Sequence, residues 1–344
     1  MQHRLDRCWR DLLYENKLHQ TLQLNVLEKD YVSIARNIFL NKQFFDILEA
    51  FLKLGIPVIP LKGIALIQNV YTDIAERYVG DIDLLVKPGD VFKSAEILRG
   101  LGYSSARPYF NPPRPSSIYL NSQVFNKPTE INYFIHLHWH LLNTTLPLFM
   151  YRINMDDVFN QARIEKIQDG RRILMLEPHH LLVYLCLHAF CHSFDRLSLL
   201  CDIKKVIEFY KDELNWDRVI RLAGKWNAGL PLYLSLYFVR HILNAPLPEE
   251  VLCALKPKRS YWALKRIIPY ILKNRRGEFY FIYILSLETA GGFLDKIKFI
   301  FLSLFPAPSV FPQIYAPGFH GSFLRYYLMR IKNLIKIGMR ERLP

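Results

Sequence analysis

Two aspartates separated by one residue stand in an otherwise apolar stretch, Gly80-Asp81-Ile82-Asp83-Leu84-Leu85-Val86. Because side chains alternate between the two faces of a β-strand, we expect Asp81 and Asp83 to project together, with Ile82 entering the core. Neighbouring carboxylates on a buried strand repel each other, and a divalent cation relieves that repulsion. Mg²⁺ binds one or two carboxylates and completes its shell with water and phosphate oxygens. The stretch therefore predicts a site for Mg²⁺ and a triphosphate; a surface strand with two solvated acids is the alternative.

A candidate phosphate-binding turn comes one predicted strand earlier. The apolar run 56–61 leads into Lys62-Gly63, and a helical pattern then covers residues 64–71. A strand, a glycine turn and a helix can present backbone N–H groups and a helix N-terminus to phosphate oxygens. Lys62 would add a point charge, and Gly63 would permit a close approach of the backbone. Arg77 is a second candidate cation for the phosphates.

In their order along the chain, these motifs resemble the uncharacterised bacterial nucleotidyltransferases of the polymerase-β-like superfamily. The motifs that carry the resemblance are Leu61-Lys62-Gly63, Tyr71, Arg77, the stretch 80–86 and Leu137-His138-Trp139. Further matches lie downstream, at His188, His192, Leu197, Cys201-Asp202-Ile203, Trp216-Asp217 and Pro246-Leu247-Pro248. The resemblance covers residues from about 55 to about 255.

The resemblance implies an α+β fold in which a small mixed sheet with flanking helices is followed by a mainly helical C-terminal domain. It implies transfer of a nucleoside monophosphate from an NTP, with ATP the expected donor, to a hydroxyl of an unknown acceptor by two-metal chemistry. Asp81 and Asp83 would then be catalytic ligands of Mg²⁺, or of Mn²⁺. The residues implied to bind substrate or phosphate are Lys62, Gly63, Arg77, Gly80, His138, His188, His192 and Asp202.

The chain departs from the superfamily pattern at the third acidic position, which falls on His136. In the superfamily that acid commonly activates the attacking hydroxyl or completes the shell of the second metal. Histidine can act as a general base near neutral pH and can ligate metals, although hard cations prefer oxygen. Glu130 shares the strand parity of His136 but lies about 20 Å away along an extended strand. Either His136 is the catalytic base, or two carboxylates suffice, or the activity has decayed.

Two other functions stay open at this point. The same site could move a γ-phosphoryl group, which would make the protein a kinase of a peptide or small molecule. Alternatively, the chain is a non-catalytic NTP-binding module that lost its third carboxylate. In the nucleotidyltransferase interpretation, His138 and Trp139 would brace the strand or a base pocket.

One apolar helix is predicted over residues 178–194, with His188 and His192 spaced i,i+4 on one face. These two histidines either form hydrogen bonds within a domain interface or line the cleft together with Asp202. A zinc site that adds Cys186 and Cys191 is disfavoured, because the turns of one helix cannot point all four side chains at one metal.

The chain divides into a predicted N-terminal helical segment (1–54), a catalytic domain (55–176) and a helical C-terminal domain (177–344). From residue 256 onward, 16 lysines and arginines stand against four acidic residues among many aromatics. This composition suits an anionic lipid surface or nucleic acid. The apolar stripe of a helix predicted over 322–337 could instead pack on the domain.

We expect a cytoplasmic protein, with peripheral attachment to a membrane as an alternative. No apolar run approaches the roughly 18–20 residues of a spanning helix, and the first residues carry no signal-peptide core. The coarse pattern also predicts a helix over 30–54, a helix over 91–101, strands over 118–125 and 130–139, and a hairpin over 162–176. The proline-rich segment 108–115 is a candidate lid over the nucleotide.

Overall fold

The computed structural model describes residues 23–105, 121–143, 147–257, 280–306 and 322–340, and a mixed sheet organises its N-terminal half. The five strands of this sheet are β1 (Val58–Leu61), β2 (Ile82–Val86), β3 (Ser104–Ser105), β4 (Ser122–Asn126) and β5 (Ile135–His138). Their spatial order is β1-β2-β5-β4-β3; β2 and β5 are parallel, and the other neighbours are antiparallel. The acidic strand β2 lies between β1, which leads to Lys62, and β5, which carries the histidines.

Among the described residues, four α-helices accompany the sheet: α1 (Gln23–Lys53), α2 (Lys62–Asn69), α3 (Val91–Gly100) and α4 (Met155–Gln161). Helix α1 buries Phe44 and Phe51 in the same apolar cluster as Ile82 and Leu84 of β2. The helix ends at Lys53, and Gly55, two residues later, takes a left-handed φ of 66° and donates its N–H to the carbonyl of Leu52 at 3.0 Å. This is the usual way in which glycine ends a helix, because it has no Cβ to oppose that conformation.

A hairpin links the sheet to the helical part of the chain. It consists of β6 (Arg163–Lys166) and β7 (Arg172–Met175) and turns at Gly170, whose φ is 88°. The hairpin predicted over 162–176 is therefore confirmed.

The remaining described elements are all helical: α5 (Pro178–Cys191), α6 (Leu197–Phe209), α7 (Trp216–Lys225), α8 (Gly229–Leu243), α9 (Glu249–Leu255), α10 (Tyr280–Thr289), α11 (Phe293–Leu304) and α12 (Phe323–Arg340). The carboxylate of Glu177 caps α5 by accepting hydrogen bonds from the N–H groups of His179 and His180. Nearly every side chain of α5 is buried, in one core that also contains Ile59 and Leu85 of the sheet. Because this core is continuous, α5 and α6 are held against the part of the sheet that carries the predicted motifs.

The α+β class and the helical C-terminal region are confirmed, with small shifts at element ends. Strand β2 begins at Ile82, so Asp81 precedes it, and β5 begins at Ile135 because that residue pairs with Ile82. Residues 118–120 of the strand predicted over 118–125 lie outside the described residues, and the described part is observed as Ser122–Asn126; the last helix runs to Arg340.

Several expectations about organisation stay predictions. The candidate lid 108–115 and much of the basic segment after residue 256 lie outside the described residues. The domain boundaries and the anionic partner therefore stay predictions too. Within the described residues, no helix combines the length and apolar character needed to cross a bilayer.

Candidate active site

A cavity of about 300 Å³ lies between the sheet and helices α5 and α6. Its walls contain every residue that the sequence singled out for the site: Lys62, Gly63, Arg77, Gly80, Asp81, Asp83, His136, His138, His188, His192 and Asp202. Residues separated by up to 140 positions thus share one cavity; the roles assigned to them stay predictions.

Asp83 is the buried anion of this cavity, with 8% of its surface exposed. Its Oδ1 atom lies 2.7 Å from the ammonium of Lys62 and 2.9 Å from Nε2 of His138. Burial by itself would raise the pKa of Asp83. The positive charge of Lys62 and the hydrogen bond from His138 outweigh that effect and hold the pKa well below its usual range. The carboxylate is therefore charged at every pH at which the protein would work.

Lys62 reaches Asp83 through an unusual backbone conformation. It follows β1 directly and begins α2, with a left-handed φ of 55°. A non-glycine residue adopts this region only at an energetic cost, which the surrounding structure must offset. Such strained conformations are common at functional sites. Here the conformation of Lys62 places its ammonium against Asp83.

Two histidines of β5 complete the environment of Asp83. His136 stands opposite Asp83 in the parallel register, and its ring lies 6.0 Å from that of His138. Burial lowers the pKa of His138 to about 4, although the Asp83 hydrogen bond opposes this shift. His138 is therefore neutral near pH 7. Among the described residues, its Nδ1 atom has no hydrogen-bond partner.

Trp139 braces this end of β5, as expected from sequence. Its indole is buried and donates a hydrogen bond from Nε1 to Oδ1 of Asn121 at 3.0 Å. The histidines of β5 are thereby held on a strand whose end is fixed by packing and by a buried hydrogen bond.

The metal-ligand geometry differs in part from the predicted pair of aspartates. Within the described residues, ligand atoms of Asp83, His136 and His138 lie within 4.8 Å of one another, as a metal site requires. Asp81 is outside this group: it lines the cavity half-buried, and its Oδ1 accepts a hydrogen bond from the N–H of Phe134 at 3.2 Å. One buried carboxylate with two nitrogen donors nearby fits a divalent cation, and Asp81 could add a further oxygen from the cavity wall.

Arg77 and Asp202 join the sheet side of the cavity to α6. Nε and Nη2 of Arg77 lie 2.8 and 2.9 Å from the two carboxylate oxygens of Asp202. The hydroxyl of Tyr71 donates to the same carboxylate at 2.7 Å. Such a two-point pair is strong and directional. The guanidinium predicted to contact phosphate thus makes its two-point contact with protein.

Two residues of α1 that the sequence reading missed hold the loop before β2. Arg36 donates hydrogen bonds to the carbonyls of Val79 and Gly80. Asn37 is fully buried; its side-chain amide donates to the carbonyls of Ile74 and Arg77, and its Oδ1 accepts from the N–H of Val79. Asn37 is a polar residue on the apolar face of a long helix. That pattern was a usable signal, because buried amides are normally hydrogen-bonded.

Helix α5 and its C-cap residue form the opposite wall with His188 and His192, whose ring centroids lie 4.5 Å apart. Burial lowers the pKa of His192 to about 4 and holds the pKa of His188 well below its usual range, so both imidazoles are neutral near pH 7. Arg196, another residue that the sequence reading missed, lines this cavity and a neighbouring one that also contains Asp81 and Glu130. Arg196 is exposed, which makes it an accessible cation at the cavity.

The stability of the fold should fall as the pH falls from about 6.5 to about 4. Burial holds the pKa of His138, His140 and His192 at about 4 in the folded chain, against about 6.5 in an unfolded one. In this window the unfolded state binds protons that the folded state does not, so each histidine contributes stability that is present above pH 6.5 and lost on acidification. Urea unfolding midpoints at several pH values would measure the loss. The His140→Gln variant should flatten the dependence, and a midpoint that does not change with pH would contradict the assignment.

Comparison with known proteins concerns the same part of the chain. A model of a family described as "uncharacterised nucleotidyltransferase" matches residues 1–244. The chain is similar to an antigenic nucleotidyltransferase-like protein from Paracoccidioides brasiliensis whose crystal structure is known. The identity is 14% and the TM-score 0.36, over 67% of this chain and 94% of that one. None of the curated proteins matches the chain. The family match contains every predicted site residue, from Lys62 to Asp202.

Proposed function

We propose, from the premise that this chain belongs to the uncharacterised nucleotidyltransferase family, that it transfers a nucleoside monophosphate from an NTP to a hydroxyl of an acceptor molecule. The family match confirms the resemblance seen in the sequence motifs and supports a general role in nucleotidyl transfer. The finer proposal is carried by one observation. The cavity joins a buried carboxylate and a second carboxylate to a lysine at the start of a helix, which is the chemistry that a metal-bound triphosphate needs.

Asp83 and Asp81 would hold the divalent cation, and His136 lies near them in the same cavity. When bound, that ion neutralises the charge of the triphosphate and of the departing pyrophosphate. His138 keeps Asp83 oriented through the hydrogen bond to Oδ1. Lys62, the N-terminus of α2 and the exposed Arg196 are proposed to hold the phosphate oxygens. ATP is the proposed donor, and the acceptor is defined only by its hydroxyl.

His136 is the proposed base. The acceptor oxygen forms a bond to the α-phosphorus, the bond from that phosphorus to the bridging oxygen of pyrophosphate breaks, and the hydroxyl proton passes to the imidazole of His136. The imidazole of His136 is half-buried and lines the cavity, where a ring nitrogen can accept the proton. The neutral imidazoles of His188, on α5, and of His192, directly after it, line the cavity and would limit the access of water.

Labelled ATP tests which phosphorus is attacked. The protein is incubated with a divalent metal, with fractions of a cell extract as the source of acceptor, and with ATP labelled at either the α- or the γ-phosphate. Label from the α-phosphate on an acceptor supports nucleotidyl transfer. Label from the γ-phosphate alone would show a phosphotransferase, and NTP binding without transfer of either label would show a non-catalytic module.

Substituting Gly63 by Ala should weaken NTP binding without unfolding the chain. A Cβ atom at this position would lie 3.7 Å from the nearest atoms of Val79 and 3.9 Å from Cζ of Arg77, which is ordinary van der Waals contact. The protein itself therefore tolerates the methyl group, whereas a phosphate placed against the backbone does not. We expect about a tenfold rise in the dissociation constant for ATP, measured by calorimetry, with a melting temperature close to that of the wild type. Gly89→Ala, where a Cβ would meet open space, is the matched control. Equal affinities for Gly63→Ala and wild type would argue against the phosphate turn.

A further inference from the structure

We propose that helices α11 and α12 form a surface that docks on an anionic membrane and inserts apolar side chains among the lipid headgroups. The inference does not rest on the proposed function. It concerns the helical C-terminal region and involves no residue that lines the candidate active site.

The outward face of α11 is apolar. Its exposed apolar residues recur at helical spacings of three and four positions and therefore share one face: Phe293, Leu294, Ile297, Ile300 and Phe301. The first two side chains are 77% and 79% exposed. The other side of the helix packs inward, where Phe299 and Ser303 are buried. A contiguous apolar patch on the surface of a protein marks an interaction site.

Helix α12 lies beside α11 and exposes further apolar side chains. Nε of Arg330 donates a hydrogen bond to the carbonyl of Ser303 at 3.3 Å, which joins the two helices. Leu324 and Leu328 of α12 are both exposed. The apolar stripe predicted on the last helix therefore does not pack on the domain at these two positions.

Contacts on the inner side attach α10 and α11 to the rest of the protein. The side-chain amide of Asn227 donates to the carbonyl of Met150 at 2.9 Å and to the carbonyl of Thr289, the last residue of α10, at 3.0 Å. The ammonium of Lys298 lies 4.4 Å from the centre of the Phe149 ring. These contacts hold the inner side of α11 against the protein, so its apolar face is directed outward by packing.

The charge of the two helices indicates an anionic partner. Together α11 and α12 contain seven lysines and arginines and a single acidic residue, Asp295. At 3.6 residues per turn, Lys296 and Lys298 lie on either side of the apolar stripe. An apolar stripe flanked by cations is typical of helices that lie in the membrane interface, where the cations bind anionic headgroups.

The same features disfavour two other occupants. In a symmetric dimer, a second copy would place the same cations against each other, and like charges repel. Surfaces that bind nucleic acid combine a cationic groove with aromatic rings that stack on the bases. The outward face of α11 is instead mostly aliphatic, and its cations stand at the edges.

Sedimentation of the full chain with lipid vesicles tests the proposal. The probes are vesicles of phosphatidylcholine alone and vesicles of equal parts phosphatidylcholine and phosphatidylserine. We expect the chain to bind the anionic vesicles at least about tenfold more tightly than the neutral ones, because the cations add electrostatic attraction to the burial of apolar surface. Added salt should weaken the binding to the anionic vesicles, since it screens that attraction.

The double variant Leu294→Gln/Phe301→Gln removes apolar side chains from the outward face and should weaken binding to the anionic vesicles at least about tenfold. Both side chains are exposed, so the fold should be kept, and the melting temperature checks this. Phe92→Gln/Ile164→Gln is the matched control. These two side chains are also exposed but lie outside α11 and α12, and this variant should bind vesicles like the wild type.

Four results would overturn the proposal. Three concern the vesicles: no binding to the anionic vesicles, equal binding to the two kinds, or wild-type binding by the α11 variant. The fourth is a wild-type dimer in sedimentation velocity that the α11 variant dissociates, without vesicle binding, which would assign the surface to a second copy of the chain.

Discussion

Asp83→Asn is expected to reduce NTP-dependent transfer by at least about 100-fold while the chain stays folded. The substitution keeps the size of the side chain but removes the negative charge that a divalent cation requires. Asparagine can still accept hydrogen bonds from Lys62 and His138 at its carbonyl oxygen, so the local packing is preserved. Lys62 then loses its counter-ion, for which we expect a cost of about 1–3 kcal/mol in the free energy of unfolding.

The measurement is the rate of label transfer from α-labelled ATP, together with the dissociation constant for the metal. Asp212→Asn is the matched control, because Asp212 is an exposed aspartate that does not line the cavity. A variant that binds metal and transfers label at the wild-type rate would show that Asp83 is not the anchor of the site.

Asp202→Ala is expected to lower the free energy of unfolding by about 3 kcal/mol. The side chain of Asp202 is 3% exposed and that of Arg77 13%. Removal of the carboxylate leaves the guanidinium of Arg77 largely buried and without this counter-ion, and the hydroxyl of Tyr71 loses an acceptor. Since the pair joins the sheet side of the cavity to α6, we also expect weaker NTP binding. Urea unfolding and calorimetry measure the two effects.

Lys205→Ala is the matched control for this prediction. The ammonium of Lys205, also on α6, lies 3.0 Å from the carboxylate of Glu76, so this pair joins the same two parts of the chain. The lysine side chain is 40% exposed, and we expect a loss of at most about 1 kcal/mol because solvent screens the pair. Similar decreases in the free energy of unfolding for the two variants would mean that the buried Arg77–Asp202 pair stabilises the fold no more than an exposed ion pair does.

The resemblance of the chain to its family could be recognised from the sequence because the motifs are local. The alternation around Asp81 and Asp83, the turn at Lys62-Gly63 and the hairpin around Gly170 each depend on neighbouring residues. Local backbone geometry imposes the periods of strands, turns and helices, so it leaves a readable pattern. Element ends were less predictable, since β5 begins only where β2 supplies a hydrogen-bonding partner.

Partners distant in sequence could not be assigned in the same way. The i,i+4 spacing of His188 and His192 indicated one helix face, but not that this face would meet Asp83. Arg77 and Asp202 were both expected near the phosphates, and the structure instead pairs them with each other across 125 residues. A contact between residues so far apart depends on how the helices pack, and no local period encodes that packing.

The sequence by itself determined the types of group at the site, namely two carboxylates, a lysine beside a glycine and a histidine at the third acidic position. Only the tertiary structure decided which groups meet. It pairs Lys62 with Asp83, sets His136 and His138 beside that carboxylate, and leaves Asp81 outside the ligand group. The physical reason is that the type and spacing of residues can be read directly along the chain, whereas contacts between distant residues form only when the chain folds. Ligand geometry and charge balance follow from the strand register, the left-handed turn at Lys62 and the burial that α5 imposes.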